Sequence, residues 1–131
     1  MLDPPAGARR SVVVMTTTDV TPSQLPAIIR TFLVDHAARD ADAAARAFAP
    51  TAVVRDQGET FRGAAEVLAF LRHQGGEFTY TTELLGGRRV DDDHWVAVNH
   101  LEGDFPGGVV DLAYRFTMDG DLIAELVIAP R

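Results

Sequence analysis

Residues 39–63, RDADAAARAFAPTAVVRDQGETFRG, contain the order of elements that decides the fold. Asp40 is a typical helix N-cap before an alanine-rich run, and Pro50 ends the predicted helix. Val53-Val54 then indicates a strand, and Asp56-Gln57-Gly58 is typical of a tight turn. A short return leads into another helix. This stretch therefore predicts a helix, a strand, a turn and a helix in close succession.

The flanking sequences complete an α+β pattern. An apolar stripe predicts a helix over 25–38, capped at Ser23 with Pro26 in its first turn, although Thr21–Gln24 also has the form of a capping box. We expect a third helix over 64–73, and then strands over 77–85, 94–103, 109–118 and 121–128. The predicted architecture is three N-terminal helices packed on a curved, mostly antiparallel sheet. We expect residues 1–20 to form a flexible leader and residues 21–131 to form one domain.

Composition narrows the classes of partner and compartment. The 131 residues carry a net charge of −7, which argues against nucleic acid and anionic membranes as partners. The chain has no cysteine, so disulfides and thiol chemistry are excluded. No apolar run reaches the roughly 18 residues of a membrane helix. We therefore predict a cytoplasmic protein with no membrane association.

The sequence lacks the common motifs of catalysis and cofactor binding. It contains no glycine-rich phosphate loop, no nucleophile elbow and no HExxH helix. His94 and His100 lie near Asp91–Asp93, but the spacing matches no metal-ligand pattern. We expect neither a cofactor nor a metal.

Four segments resemble the nuclear transport factor 2-like superfamily, which includes ketosteroid isomerase and the SnoaL-like polyketide cyclases. They are PAIIRTFL (26–33), RDADAAARAFAPTAVVRDQG (39–58), FRGAAEVLAFL (61–71) and YRFTMDGDLIAEL (114–126). The resemblance covers residues 22–130 and implies a cone-shaped fold around an apolar cavity. It leaves the activity open, because this fold hosts enzymes, binding proteins and scaffolds.

The resemblance also places the three catalytic groups of ketosteroid isomerase on this sequence. The aspartate base falls on Asp56, the tyrosine oxyanion donor falls on Phe32, and the aspartic acid donor falls on Leu112. Since Phe32 and Leu112 have no donor, we do not expect steroid isomerisation by that mechanism.

Asp56 is the predicted catalytic residue. The alternation of a strand puts it on the same face as Val54, so the resemblance implies an apolar cavity wall around the carboxylate. Burial there is expected to raise the pKa of Asp56 toward the working range of a general base. The alternative interpretation is that Asp56 only forms the turn with Gln57-Gly58.

Further substrate-binding residues follow from the strand register that the resemblance implies. Trp95 and Asn99 are expected to face the cavity, as are Leu112 and Tyr114, and Glu125 on the last strand. His36 lies on the apolar stripe of the first helix, one turn beyond Phe32, and is also expected to reach the cavity. Two alternatives stay open. Glu125 faces solvent if the more apolar face of its strand is buried, and His36 is a structural histidine near a helix end.

The sequence therefore predicts a domain that binds a small hydrophobic molecule resembling a polyketide, a steroid or a terpenoid. The first hypothesis is a cofactor-independent isomerase, cyclase or hydrolase with Asp56 as base. The alternative is a non-catalytic ligand-binding or interaction domain. The same register leaves Val96, Val98, Leu126 and Ile128 on the outer face, so a homodimer packed sheet to sheet is also predicted, as the resemblance implies.

Overall fold

The described part of the chain forms a seven-stranded sheet with three helices beside it. The computed structural model describes residues 18–73 and 78–131. The predicted α+β class is confirmed, and all three helices precede the last four strands of the sheet, although three strands precede the third helix. In chain order the elements are β1 (Thr18–Val20), a 3₁₀ turn (Pro22–Gln24), α1 (Ala27–Ala37), α2 (Ala41–Ala45), β2 (Phe48–Asp56), β3 (Glu59–Arg62), α3 (Gly63–His73), β4 (Tyr80–Arg89), β5 (His94–Gly103), β6 (Val109–Asp119) and β7 (Leu122–Pro130).

The first described residues already belong to the sheet. β1 pairs antiparallel with β4, with Thr18 opposite Arg89 and Val20 opposite Gly87. Thr18–Val20, the last three residues of the predicted leader, therefore belong to the sheet. The other residues of that leader, 1–17, lie outside the described part of the chain.

The entry into α1 differs from the prediction. Thr21 and Gln24 form a capping box, with the backbone N–H of Thr21 donating to Gln24 Oε1 at 2.8 Å, but this box closes the 3₁₀ turn. α1 begins only after Pro26, which is its N-cap, so Ser23 as the cap is wrong. Proline has no N–H and clashes inside a helix, so the helix begins behind it.

The stretch around Asp40 matches the prediction at its two ends. The Asp40 carboxylate caps α2 by accepting a hydrogen bond from the N–H of Ala43 at 3.1 Å. α2 is shorter than predicted, and β2 begins at Phe48, before Pro50. At the other end Asp56 pairs with Glu59 across Gln57-Gly58. Both loop residues have positive φ, 53° and 80°, as in the hairpin turns that match the twist of a sheet.

The strand order across the sheet is β1-β4-β5-β6-β7-β2-β3. The predicted antiparallel series from β4 to β7 is present, and β2 joins its end by pairing parallel with β7. The register between β6 and β7 shifts between Thr117 and Met118. This irregularity changes which residues of β7 face the helices.

The helices bury one face of the sheet. Ile29 and Phe32 of α1 and Val67 of α3 have almost no exposed surface, and they belong to one core with Phe116 and Leu126 of the sheet. Among residues 18–73 and 78–131, none of the helices is long and apolar enough to cross a membrane.

The opposite face of the sheet is less apolar than predicted. Val96, Val98 and Ala113 form a small buried cluster of their own on this outer face. Leu126 and Ile128 were expected beside them, but both belong to the main core. The homodimer therefore stays a prediction, and the apolar surface available to it is smaller than the sequence suggested.

Candidate functional site

A cavity of about 1070 Å³ lies between α3, the β2–β3 hairpin and the adjoining ends of β4 to β7. Its volume is that of a small-molecule site, and rings supply much of its wall. The aromatic lining residues are Phe61, Phe70, Phe78, Tyr80, Phe105 and Tyr114.

Asp56 lies at this cavity because of its position in β2. Val54, two residues earlier, is fully buried in the core, and alternation along the strand turns Asp56 toward the same side. The left-handed turn at Gln57-Gly58 follows at once, so the strand ends where the cavity opens. Asp56 thus lines the cavity, and its role as a base stays a prediction.

Tyr114 and Asn99 are buried polar side chains with 3% of their surface exposed, and His36 beside them is half-buried. Tyr114 lines the cavity, whereas Asn99 and His36, which were expected to reach it, are not among its lining residues. The Tyr114 hydroxyl lies 3.4 Å from Nε2 of His36, and the side chain of Asn99 also hydrogen-bonds the phenol. This hydrogen bond with Asn99 lowers the pKa of the phenol.

The electrostatics keep the rings of Tyr114 and His36 neutral at pH 7. Burial raises the pKa of Tyr114, and the nearby Tyr80 and the charge of Asp56 raise it further, against the opposing effect of Asn99. Burial lowers the pKa of His36 from 6.5 to about 4, and Arg39 adds to that effect. Because the pKa of the phenol responds to the charge of Asp56, the two groups are coupled.

Of two other predicted site residues, Leu112 is at the cavity and Phe32 is in the core. Leu112 lines the cavity. Phe32 is fully buried, stacks on His36 with a centroid distance of 5.3 Å, and contacts Phe48 and Phe116 edge to face. Phe32 therefore supports His36 from within the core.

Trp95 was predicted to face the main cavity, but it does not line that cavity. Trp95 does face the helices, but it lines a separate cavity of about 480 Å³ with Ile28 and Met118. The Arg89 guanidinium lies 5.9 Å from the centroid of its ring. Trp95 is near the start of β5 and Leu101, which does line the main cavity, is near its end, so the length of the strand separates them.

The predicted inward orientation of Glu125 is wrong. The irregular register between β6 and β7 turns Leu126 and Ile128 into the core, so Glu125 points to the outer face. There it accepts a hydrogen bond from the guanidinium of Arg55 in an ion pair. A bulge adds one residue to a strand and exchanges its two faces, which explains the error.

Sequence reasoning assigned no role to several residues of the cavity wall. The polar ones are Arg55, Glu59, His73 and Tyr80. Phe78 and Phe105 contact each other edge to face, with a centroid distance of 6.2 Å. The inward direction of Tyr80 could have been predicted, because it shares one face of a predicted strand with Thr82 and Leu84. Phe105 lies in the loop between β5 and β6, where no sequence periodicity indicates which way a side chain points.

Asp56 and Tyr114, which carry a carboxylate and a neutral phenol, therefore line one cavity. A carboxylate accepts a proton, and a neutral phenol donates a hydrogen bond to an oxygen on which negative charge develops. A pair of groups of this kind is chemically able to move a proton.

Comparison with known proteins agrees with this fold. The SnoaL-like domain family matches residues 29–126. A protein from Sinorhizobium meliloti, provisionally called a polyketide cyclase, is 32% identical with a TM-score of 0.76, over 82% of this chain and 98% of that one. A protein from Sphaerobacter thermophilus is 22% identical with a TM-score of 0.68, over 79% and 93% of the two chains.

A third structure is a protein of ketosteroid isomerase-like fold from Catenulispora acidiphila in complex with trimethylamine. It is 16% identical with a TM-score of 0.69, over 79% of this chain and 85% of that one. No curated protein matches the chain. The family match covers most of the chain, and the protein belongs to the SnoaL-like domain family within the nuclear transport factor 2-like superfamily.

Proposed function

We propose that the protein binds a small hydrophobic carbonyl compound in the main cavity and removes a proton from the carbon next to the carbonyl. Asp56 is the base, and the Tyr114 hydroxyl donates a hydrogen bond to the carbonyl oxygen. The observation that carries the proposal is that both groups line one cavity and that the pKa of Tyr114 responds to the charge of Asp56.

The state of Tyr114 suits the role of a donor. Its contact with His36 is 3.4 Å, longer than a usual O–H hydrogen bond, so a substrate oxygen at about 2.7 Å is the better partner for the phenol proton. The hydrogen bond with Asn99 lowers the pKa of the phenol, which makes the hydroxyl a better donor. Removing a donor of this kind costs about 3–4 kcal/mol of transition-state stabilisation.

The donor differs from those of ketosteroid isomerase. The positions that would carry its two donors are Phe32 and Leu112, which have none. Tyr114 lies two residues beyond Leu112 on the same face of β6, and both residues line the cavity. The provisional name of the Sinorhizobium meliloti relative fits this chemistry, since polyketides contain carbons between carbonyl groups.

The test does not require the natural substrate. A hydrophobic ketone with acidic α-protons, such as 2-tetralone, is incubated with the protein in D₂O, and proton exchange is followed by NMR. We expect exchange above the buffer rate for the wild type and none for Asp56→Asn. Tyr114→Phe is expected to slow exchange by about 10²–10³-fold.

Asp121→Asn is the matched control, because this exposed aspartate lies in the turn after β6 and does not line the main cavity. Unchanged exchange by Asp56→Asn would overturn the catalytic proposal. Saturable binding of the ketone without any exchange by the wild type would instead support a non-catalytic binding domain.

A further inference from the structure

We infer that Arg39 is a positioning residue of the main cavity, and that its guanidinium holds the wall formed by Phe78 and Tyr80 in the arrangement that receives the ligand. Arg39 itself is not among the lining residues. The inference rests on the proposed function for the class of ligand, a hydrophobic ketone, and it adds a residue that sets the affinity of the same cavity.

The first support is a pair of contacts between Arg39 and this wall. Nη2 of Arg39 donates a hydrogen bond to the backbone carbonyl oxygen of Phe78 at 3.0 Å, and the central carbon of the guanidinium lies 4.7 Å from the centroid of the Tyr80 ring. Phe78 and Tyr80 both line the cavity. One side chain therefore holds the backbone of the first residue and the ring of the second.

The second support is the place of this wall at the end of the sheet. The pairing of β4 with β5 begins at Tyr80, so Phe78 precedes the regular ladder of hydrogen bonds. The β5–β6 loop holds the residue between them, since the N–H of Asp104 donates to the carbonyl oxygen of Thr79 at 3.1 Å. Arg39 adds a contact from the end of α1, 39 positions away along the chain. A wall that is fixed before the ligand arrives lowers the entropic cost of binding.

The third support is the backbone of Arg39, which favours a different residue. Arg39 follows the C-cap of α1 with a φ of 60°, in the left-handed region where glycine is the usual residue at a helix end. The Cβ of arginine makes this conformation costly, and Arg39 is exposed, so burial of its side chain does not offset the cost. The contacts with the cavity wall give a physical reason for an arginine at this position.

This wall also adjoins the proposed hydrogen-bond donor. Tyr80 and Tyr114 both line the cavity, and Tyr80 is near enough to raise the pKa of the Tyr114 phenol. A displaced Tyr80 therefore changes the space in which a ketone binds beside Tyr114.

The experiment separates the guanidinium from the backbone by comparing Arg39→Gly with Arg39→Ala. Both variants remove the contacts with the wall, but only alanine keeps a Cβ at the left-handed position. Binding of the hydrophobic ketone 4-tert-butylacetophenone is measured at pH 7 by isothermal titration calorimetry, and the melting temperature of each variant is measured alongside. Arg115→Ala is the matched control, because this exposed arginine of β6 does not line the cavity.

We expect both Arg39 variants to bind the ketone about threefold more weakly than the wild type, the size of one exposed cation–π contact, and Arg115→Ala to bind it equally well. The melting temperature of Arg39→Gly is expected to equal or exceed that of the wild type, and that of Arg39→Ala to lie below that of Arg39→Gly. The loss of affinity then follows the guanidinium and not the stability. His36, whose pKa Arg39 also lowers, stays neutral at pH 7 in both variants because burial is the larger cause.

Wild-type affinity in Arg39→Gly overturns the inference and leaves the proposed function standing. A loss of affinity in Arg39→Gly that comes with a lower melting temperature than the wild type also overturns it, since Arg39 is then a general support of the fold, and so does an equal loss in Arg115→Ala. Weaker binding by both Arg39 variants, without proton exchange of 2-tetralone by the wild type, supports the inference and overturns only the catalytic proposal. If the wild type binds no ketone, both proposals fail.

Discussion

Acid is expected to destabilise this protein through His36 in a defined pH window. The unfolded chain protonates this histidine near 6.5, whereas burial lowers its pKa in the folded protein to about 4. Between these values the unfolded state binds more protons, so stability is lost as the pH falls through the window and is unaffected above it. At 1.36 kcal/mol per unit, the loss amounts to about 3 kcal/mol at pH 4.

The measurement is urea unfolding of the wild type and of His36→Gln at pH 7, 5.5 and 4. Glutamine keeps a polar group near Tyr114 but does not titrate, and the carboxylates that titrate in acid are common to both proteins. The free energy of unfolding of the wild type, relative to the variant, is expected to fall by about 3 kcal/mol from pH 7 to pH 4.

His73→Gln serves as the matched control, because that histidine is exposed at the end of α3. It should keep the pH dependence of the wild type. If the wild type and His36→Gln lose stability in parallel, His36 is not a buried neutral residue, and the description of the polar group around Tyr114 is wrong.

Three further predictions concern the sheet. Glu125→Gln removes the partly exposed ion pair with Arg55 and should lower the free energy of unfolding, measured by chemical denaturation, by at most about 1 kcal/mol. A loss of affinity for the hydrophobic ketone 4-tert-butylacetophenone in this variant would contradict the outward orientation of Glu125. Gly87→Ala places a Cβ against the backbone carbonyl oxygen of Val96. We expect this overpacking to lower the free energy of unfolding by about 1–3 kcal/mol and to lower the melting temperature. An unchanged melting temperature would refute the close approach of the two strands at this position. For the predicted homodimer, light scattering should give a molar mass of twice the 14.2 kDa of one chain. A monomer mass at micromolar concentration would exclude the homodimer.

The sequence by itself determined the features that depend on neighbouring residues. Asp40 caps α2 because an aspartate before an alanine run satisfies free backbone N–H groups. Val54 and Asp56 share a face because strand side chains alternate, and Gln57-Gly58 forms the turn because these residues adopt positive φ. These local patterns predicted the α+β class without knowledge of any distant contact, whereas the cavity beside Asp56 was implied by the family resemblance.

Tertiary structure decided the rest of the site. Glu125 faces outward because one irregularity in the pairing of β6 with β7 exchanges the faces of the strand, and a side-chain pattern cannot reveal an inserted residue. Trp95 and Leu101 share a face in the sequence but line different cavities, since the strand is longer than either cavity. Tyr114 meets His36 across 78 positions of the chain, and their burial changes both pKa values. Periodicity gives the direction of a side chain, whereas its partners and its loss of water are set only when distant elements pack together.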